Sequence, residues 1–277
     1  MKNLLYLIAF SFCLFTCDEI PPDLGTANTG GGSGSPDEVV RKVLIEEFTG
    51  VRCVNCPAGS EAIEQLLDIH GDKLIAVSIH AGFFSLPFEE NEFDFRTDDG
   101  SNILNLLGSP LGYPTGVVDR NIFDGEDELQ IGKGKWAGTI EQQLAEEATV
   151  KLDFNSSYDA GSREVNFDIA VEYLTDLNIS APRLSVYMIE NGIEDYQETP
   201  DGKQSDYLHK HVFRDAVTPF DGQVLDQGTT ANTIEEVSLS YTLPESWDVS
   251  KVNAIAFVHD GGSTLNILQV EELHVAQ

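Results

Sequence analysis

Short apolar runs alternate with segments of helical periodicity in the first half of the chain. Apolar residues recur one helical turn apart between Ala62 and Leu67, and an amphipathic pattern over Lys135–Glu147 predicts another helix. Because strands alternating with helices form a largely parallel sheet with covered faces, we predict an α/β domain over residues 37–148. Its predicted strands are Val43–Phe48, Lys73–Ile79, Thr115–Asp119 and a short one at Ile122–Phe123.

From Thr149 onward the periodicity changes to two, since apolar and polar residues alternate. Turn signals such as Asp159–Ser162 separate the alternating segments, and no convincing helix interrupts them. We therefore predict an all-β, immunoglobulin-like sandwich over residues 149–277. Its strands are centred on Val150–Phe154, Val165–Val171, Leu184–Met188, Val237–Tyr241, Ile255–Phe257 and Ile267–Val270.

The first 36 residues have the composition of a leader followed by a tether. Lys2 supplies a positive start, and the apolar stretch Leu4–Phe15 is too short to span a bilayer comfortably. Leu14-Phe15-Thr16-Cys17 resembles a bacterial lipobox, so residues 1–16 are predicted to be a lipoprotein signal peptide and Cys17 to be acylated. An ordinary signal peptide, which leaves no lipid, is the alternative. Residues 17–36 are rich in Gly, Ser and Pro, which predicts a flexible tether to the membrane.

The chain is strongly acidic, with 47 Asp and Glu against 16 Lys and Arg and a net charge of −31. A protein without a basic surface does not displace counterions from phosphates, so we predict that nucleic acid is not a partner. The acidity favours solubility and colloidal repulsion at a cell envelope, and we do not interpret it as a site for a basic ligand.

Cys53 and Cys56 lie where the first strand passes into the first helix. Two cysteines at this spacing can close a disulfide, and the unpaired amides of a helix N-terminus favour a thiolate. We predict that Cys53 is the attacking sulfur and that Cys56, one turn inward, resolves the mixed disulfide. The other two cysteines, Cys13 and Cys17, lie in the leader, so the pair acts in a compartment where disulfides persist.

Over roughly residues 38–148, these features resemble the thioredoxin superfamily. Glu47 precedes Cys53 by six residues and matches the buried acid that helps to accept the proton of the resolving cysteine. Tyr113-Pro114-Thr115 matches the cis-proline loop that faces the dithiol and holds the backbone of the substrate. The resemblance therefore implies catalytic roles for Cys53, Cys56 and Glu47, and substrate binding by the loop.

Two further features of the sequence concern substrate binding. Arg52 stands where that family usually has an aromatic residue, and we predict that it contacts the substrate. Phe83 and Phe84 begin an insertion over residues 81–110 that is rich in aromatic residues, and we predict that they form an apolar groove for an extended polypeptide. The alternative is that these rings only pack the insertion onto its own domain.

A longer resemblance covers the whole mature chain. It is carried by the run Glu46–Gly50 before Cys53-x-x-Cys56-Pro57, by Tyr113–Gly116, and by His209–Asp215 ahead of Thr218-Pro219. On these motifs the chain resembles the outer membrane protein 28-related lipoprotein family of Gram-negative bacteria. The resemblance implies a lipid-anchored protein of the outer membrane, with a thioredoxin-like domain followed by a β-sandwich.

Several histidines are candidates for a metal site. His209 and His211 lie two residues apart, so on a strand they share a face and are compatible with a metal site that includes Asp206. Histidines hydrogen-bonded to their neighbours are the alternative, and the same alternative holds for His80. A zinc site at Cys53 and Cys56 lacks a second pair of cysteines. We therefore predict no metal and no diffusible cofactor.

The sequence thus predicts a candidate thiol-disulfide oxidoreductase whose partners are protein thiols or disulfides of the cell envelope. Two alternatives stay open. Cys53 and Cys56 could form an inert structural disulfide, and the protein could be a non-catalytic surface binding or assembly lipoprotein that uses its N-terminal domain as a scaffold.

Overall fold

A computed structural model of the chain describes residues 39–262 and 264–276, and the residues from Val39 onward form one compact unit. The predicted signal peptide, tether and acylated Cys17 lie outside the described residues. None of the described helices has the length and apolarity needed to cross a bilayer.

The helices are α1 (Cys56–His70), α2 (Asp98–Leu107) and α3 (Trp136–Leu144). The strands are β1 (Val43–Thr49), β2 (Leu74–His80), β3 (Thr115–Val118), β4 (Ile131–Gly132), β5 (Val150–Asp159), β6 (Glu164–Tyr173), β7 (Pro182–Glu190), β8 (Ile193–Thr199), β9 (Gly202–His209), β10 (Val212–Ala216), β11 (Gln223–Val224), β12 (Ile234–Thr242), β13 (Val252–Asp260) and β14 (Ile267–His274).

Within the described residues, the largest sheet has nine strands. Eight of them follow the order β14-β13-β7-β10-β2-β1-β3-β4, and β11 pairs with β7. The neighbours β10, β2 and β1 are parallel, whereas the other pairs are antiparallel. Every residue of β1 and β2 is buried, as is typical of strands covered on both faces.

The predicted fold class, an α/β thioredoxin-like domain followed by an immunoglobulin-like sandwich, is wrong. The described residues are mostly β, with 41% in strands and 18% in helices. Val212 of β10 pairs with Ser78 of β2, so strands from both halves of the chain share one sheet. Phe48 also lies in the same hydrophobic core as Tyr187 and Phe257. Hydrophobic periodicity identifies a strand, but the partner of that strand is decided by contacts between distant segments.

Two further layers cover the large sheet. The strands β12, β6 and β5 form an antiparallel sheet, and its apolar side chains share a core with β7 and β13. On β1 and β2, the covering layer is formed by α1 and α3, where Ile63 and Trp136 pack against Val43 and Ile45. The amphipathic faces of α1 and α3 are thereby buried, and the first turn of α1 is held above the end of β1.

A buried ion pair joins the two halves of the chain. The guanidinium of Arg120, just after β3, donates to both carboxylate oxygens of Glu46 at 2.8 Å and to the Tyr187 hydroxyl at 2.8 Å. The side chains of Arg120 and Glu46 are fully buried. Arg120 therefore connects β1 with β7, and this contact depends on a turn in the left-handed region, at a φ of 50° for Arg120.

The short strand predicted at Ile122–Phe123 does not form. β3 instead pairs with β4 at Ile131–Gly132. Phe123 turns inward, because its side chain belongs to the core between the sheet and α3. The apolar character of this residue therefore reflects packing from a loop.

Candidate functional site

Cys53 and Cys56 are joined by a disulfide, with their Cα atoms 5.3 Å apart. Cys53 lies in the turn before α1, and Cys56 is the first residue of the helix, so Cys56 is nearer to the helix amides than the sequence predicted. Only 3% of Cys53 and 2% of Cys56 are exposed, whereas Val54 between them is 41% exposed. The disulfide thus lies just beneath the surface.

The β8–β9 hairpin covers this disulfide. The buried side-chain amide of Gln197 donates to the carbonyl oxygens of Gly50 at 3.3 Å and Cys53 at 3.1 Å. The amide of Glu198 donates to the carbonyl of Val51 at 2.7 Å. The hairpin and the Cys53 turn are therefore held together by hydrogen bonds that satisfy buried carbonyl groups.

Glu47 is fully buried on β1, beneath the first turns of α1. One carboxyl oxygen accepts a hydrogen bond from the Ser78 hydroxyl at 3.0 Å, and Oε1 has no partner among the described residues. Burial raises the pKa of Glu47 from 4.5 to about 8, although the hydrogen bond from Ser78 opposes the rise. Glu47 is therefore mostly protonated at neutral pH.

A glycine allows this carboxyl group and the proline loop to approach the helix. A Cβ atom at Gly59 would come within 2.5 Å of Glu47 Oε1 and 2.8 Å of Pro114 Cβ and Cγ. The peptide bond between Tyr113 and Pro114 is cis, and the Tyr113 hydroxyl donates to the Ala81 carbonyl at 2.9 Å. Glu47 and the proline loop thus meet beneath one turn of α1.

The next residue of the loop, Thr115, begins β3 opposite Phe48. Its hydroxyl donates to the carbonyl of Ile131 at 3.2 Å. The Thr115 side chain therefore stabilises the pairing of β3 with β4.

Arg52 is held by the insertion. Its guanidinium donates to the carbonyl oxygens of Leu86 at 2.7 Å and Pro87 at 2.6 Å and lies 4.7 Å from the centroid of the Phe88 ring. The Arg52 amide also donates to the Phe84 carbonyl at 3.0 Å. The guanidinium consequently orders the insertion beside the disulfide turn.

Phe83 and Phe84 differ in exposure. Phe83 is 86% exposed, whereas Phe84 is half-buried, with its ring 5.5 Å from that of Tyr113. Leu86 nearby in the chain is 47% exposed. This group, called here the aromatic segment (Phe83, Phe84 and Leu86), forms an apolar surface next to Arg52.

The histidines that the sequence offers as metal ligands lie in two different places. His209 is buried against His80, with ring centroids 5.7 Å apart. His211 instead bonds Glu64 at 3.0 Å, and this hydrogen bond is the main cause that lowers the pKa of Glu64 to about 2. Asp206 is exposed on β9. No set of three or more His, Cys, Asp or Glu side chains within the described ranges is arranged to hold a metal ion.

Several side chains around the disulfide were not predicted from the sequence to be functional. The register of β1 and β2 places Glu47 opposite Ser78 and Thr49 opposite His80, so four buried polar residues share one face. Polar residues at alternate positions of otherwise apolar strands are the signal that reveals this group. No comparable signal identifies Gln197 or Tyr207, because the β8–β9 hairpin reaches the disulfide only through the tertiary fold.

The fold is shared with solved structures of low sequence identity. HBP35 of Porphyromonas gingivalis superposes with a TM-score of 0.68 and 19% identity, over 86% of this chain and 76% of that protein. A protein from Agrobacterium tumefaciens superposes with a TM-score of 0.52 and 15% identity, over 85% and 95% of the two chains. A domain of the outer membrane lipoprotein Omp28 from Porphyromonas gingivalis gives a TM-score of only 0.33 at 15% identity, over 47% and 89%. For the first two of these structures, the likeness shows the fold alone.

No curated protein sequence matches this chain. The family model of the outer membrane protein Omp28 matches residues 109–277, which is more than half of the chain. This match confirms the family resemblance carried by the sequence motifs, and with it the outer membrane localisation. The chain therefore belongs to the outer membrane protein Omp28 family.

Proposed function

We propose that this outer membrane protein exchanges disulfides with the thiols of other envelope proteins through Cys53 and Cys56, while acylation of Cys17 holds it to the membrane. The observation that carries the proposal is the closed Cys53–Cys56 disulfide at the start of α1, with the uncharged carboxyl group of Glu47 beneath the same helix. A weak acid whose pKa lies near the working pH is suited to proton transfer.

The exchange has two steps. A thiolate of the partner attacks Cys53 Sγ, the Cys53–Cys56 bond breaks, and its electron pair passes to Cys56 Sγ. The new Cys56 thiolate takes a proton from Glu47, and the partner stays bound to Cys53 as a mixed disulfide. A second thiolate of the partner then displaces Cys53 as a thiolate, which, like the Glu47 carboxylate, takes up a proton from the solvent, so the partner leaves oxidised and the protein keeps two thiols. The reverse sequence oxidises the protein.

The partner must approach Cys53 from the surface beside Val54 and Arg52. The aromatic segment supplies apolar area there for an extended polypeptide, since Phe83 is 86% exposed and lies one residue before the Phe84 carbonyl that binds the Arg52 amide. Pro114 and Thr115 are proposed to contact the backbone of the partner. Partner binding has to loosen the turn, because Cys53 is only 3% exposed.

A second candidate function is non-catalytic binding or assembly at the surface. The observation that favours it is the burial of both sulfur-bearing residues, together with the two carbonyl groups of the turn that Gln197 holds. In this case the disulfide only joins the turn to α1.

A trapping experiment separates the two functions. The Cys56→Ser variant cannot resolve a mixed disulfide, so it should accumulate envelope proteins linked through Cys53, and these adducts should disappear on reduction. Cys53→Ser is the matched control, which also lacks the disulfide but keeps only the Cys56 sulfur, at the first residue of α1.

Phe83→Ala in the Cys56→Ser background should lower the yield of adducts without changing the melting temperature, because Phe83 is exposed. Absence of adducts in the Cys56→Ser variant would refute the exchange function and favour the binding function.

A further inference from the structure

A small cavity lies beside Cys56, between α1, β2 and β9. Its volume of about 10 Å³ is near the lower limit for one water molecule. Polar groups of both strands surround it, so a proton can leave the Cys56 sulfur toward them directly or through one water. The residues that line the cavity include Cys56, Thr49, Ser78, His80, Tyr207 and His209.

Two of these lining residues are imidazoles with unused nitrogen atoms. His80 and His209 are each 4% exposed, and Phe95 packs with its ring centroid 4.8 Å from both. His80 Nδ1 and His209 Nε2 have no hydrogen-bond partner among the described residues. A buried polar atom without a partner is costly, so its presence beside a reactive group calls for a role.

Burial keeps both imidazoles uncharged. It lowers the pKa of His209 to about 4, and burial is also the main cause that lowers the pKa of His80 well below 6.5. The ionisable groups that act on the pair or line the cavity with it are Asp94 (the insertion), Asp195 (β8), Tyr207 and Lys210 (β9 and its end) and Arg214 (β10). Glu47 on β1 acts on Tyr207.

We propose that His209, with His80 beside it, is a second acceptor for the proton of the Cys56 thiol when Cys56 resolves a mixed disulfide. This inference rests on the proposed exchange function and deepens it. The Cys56 S–H bond breaks and its proton moves to the unpaired Nε2 of His209. The Cys56 thiolate attacks Cys53 Sγ, the disulfide closes, and the partner leaves as a thiolate that takes the proton from the imidazolium.

The second proton acceptor matters because the Glu47 carboxyl group already carries a proton at neutral pH. With a pKa of about 8, Glu47 carries its proton over most of the range below pH 8 and has little capacity as a base there. It also lies against Gly59 and Pro114 and is not among the residues that line the cavity. The two groups therefore serve different ranges of pH.

The reduced full-length protein can be oxidised with dithiodipyridine, an uncharged disulfide that releases one coloured thione in each of two steps. Cys53 attacks in the first step, and Cys56 releases the second thione as the protein disulfide closes. The rate of the second step in the unaltered protein should change little between about pH 5 and pH 8.

His209→Phe keeps a ring in the same packing but removes both nitrogen atoms. The second step should then slow by about 10-fold or more at pH 6 and recover toward pH 9, since only ionised Glu47 or a free thiolate remains. His259→Phe is the control for loss of a buried imidazole, because His259 is fully buried on β13 and bonds Ser185 at 3.0 Å. Should His209→Phe fail to fold, His209→Gln replaces it.

The outcomes distinguish the inference from the function on which it rests. A second step whose pH profile is the same in His209→Phe, or in His209→Gln, and in the unaltered protein overturns the role of His209 while exchange itself survives. Absence of the first step in the folded protein, with normal release after unfolding, overturns the exchange function and the inference together. A slowing confined to low pH in the His209 variant supports the inference.

Discussion

The buried carboxyl group of Glu47 makes the stability of the protein fall as pH rises. In the unfolded chain Glu47 ionises near 4.5, and in the folded protein burial raises its pKa to about 8. Below pH 4.5 both states are protonated and the folded state bears no penalty. Between these values the folded protein holds a proton that the unfolded chain releases, so stability is lost progressively until about pH 8.

At about 1.4 kcal/mol for each pH unit, the full loss is about 5 kcal/mol, and the portion between pH 5 and pH 9 is about 4 kcal/mol. Glu47→Gln has nearly the same shape and no charge. The variant should therefore gain stability over the unaltered protein by about 4 kcal/mol more at pH 9 than at pH 5. This value is an upper limit, because the surroundings relax around a buried charge.

The assay is urea unfolding of the oxidised protein at pH 5, 7 and 9, followed by tryptophan fluorescence. Other groups whose pKa is raised, such as Asp119, affect both proteins alike and cancel in the difference. Glu61→Gln is the control, since it removes one carboxylate from the exposed face of α1. A stability difference for Glu47→Gln that is the same at pH 5 and pH 9 would refute the reasoning.

Two further substitutions test the contacts around the site and the fold. Gly59→Ala should destabilise the protein by about 1–3 kcal/mol in thermal unfolding, because its Cβ would lie 2.5 Å from Glu47 Oε1, whereas Gly138→Ala in α3 has nothing within 4 Å and should not destabilise it. Equal melting temperatures for the two variants would contradict the close approach beneath α1. Arg120→Met should cost about 3–5 kcal/mol in urea unfolding, since it leaves the Glu46 carboxylate buried and unpaired, and adding Glu46→Gln should restore part of the loss. If the double variant recovers no stability, the loss in Arg120→Met does not come from the unpaired Glu46 carboxylate.

The secondary structure around the disulfide was largely predictable from the sequence. Continuous apolar runs indicate β1 and β2, helical spacing indicates α1 and α3, and Cys53 and Cys56 stand between the first strand and the first helix. In the second half, alternation of period two locates β5, β6, β7, β12, β13 and β14. These features are readable because each depends on residues a few positions apart.

The arrangement around the disulfide was not predictable in the same way. The His209–Asp215 motif was visible as a family feature, but nothing local shows that β10 inserts between β2 and β7. The same applies to Gln197, which reaches the Cys53 carbonyl from a hairpin far along the chain. The exposure of a cysteine likewise depends on what distant segments cover it.

The sequence by itself determined where β1, β2, α1, α3, the alternating strands of the second half and the redox-capable cysteines lie, because hydrophobic periodicity and residue spacing are properties of a short stretch of chain. The tertiary structure alone decided that both halves build one sheet, that both cysteines are buried, and that His80 and His209 meet beside Cys56. These outcomes depend on the pairing of strands distant in sequence, and the free energy of that pairing comes from the core they bury together.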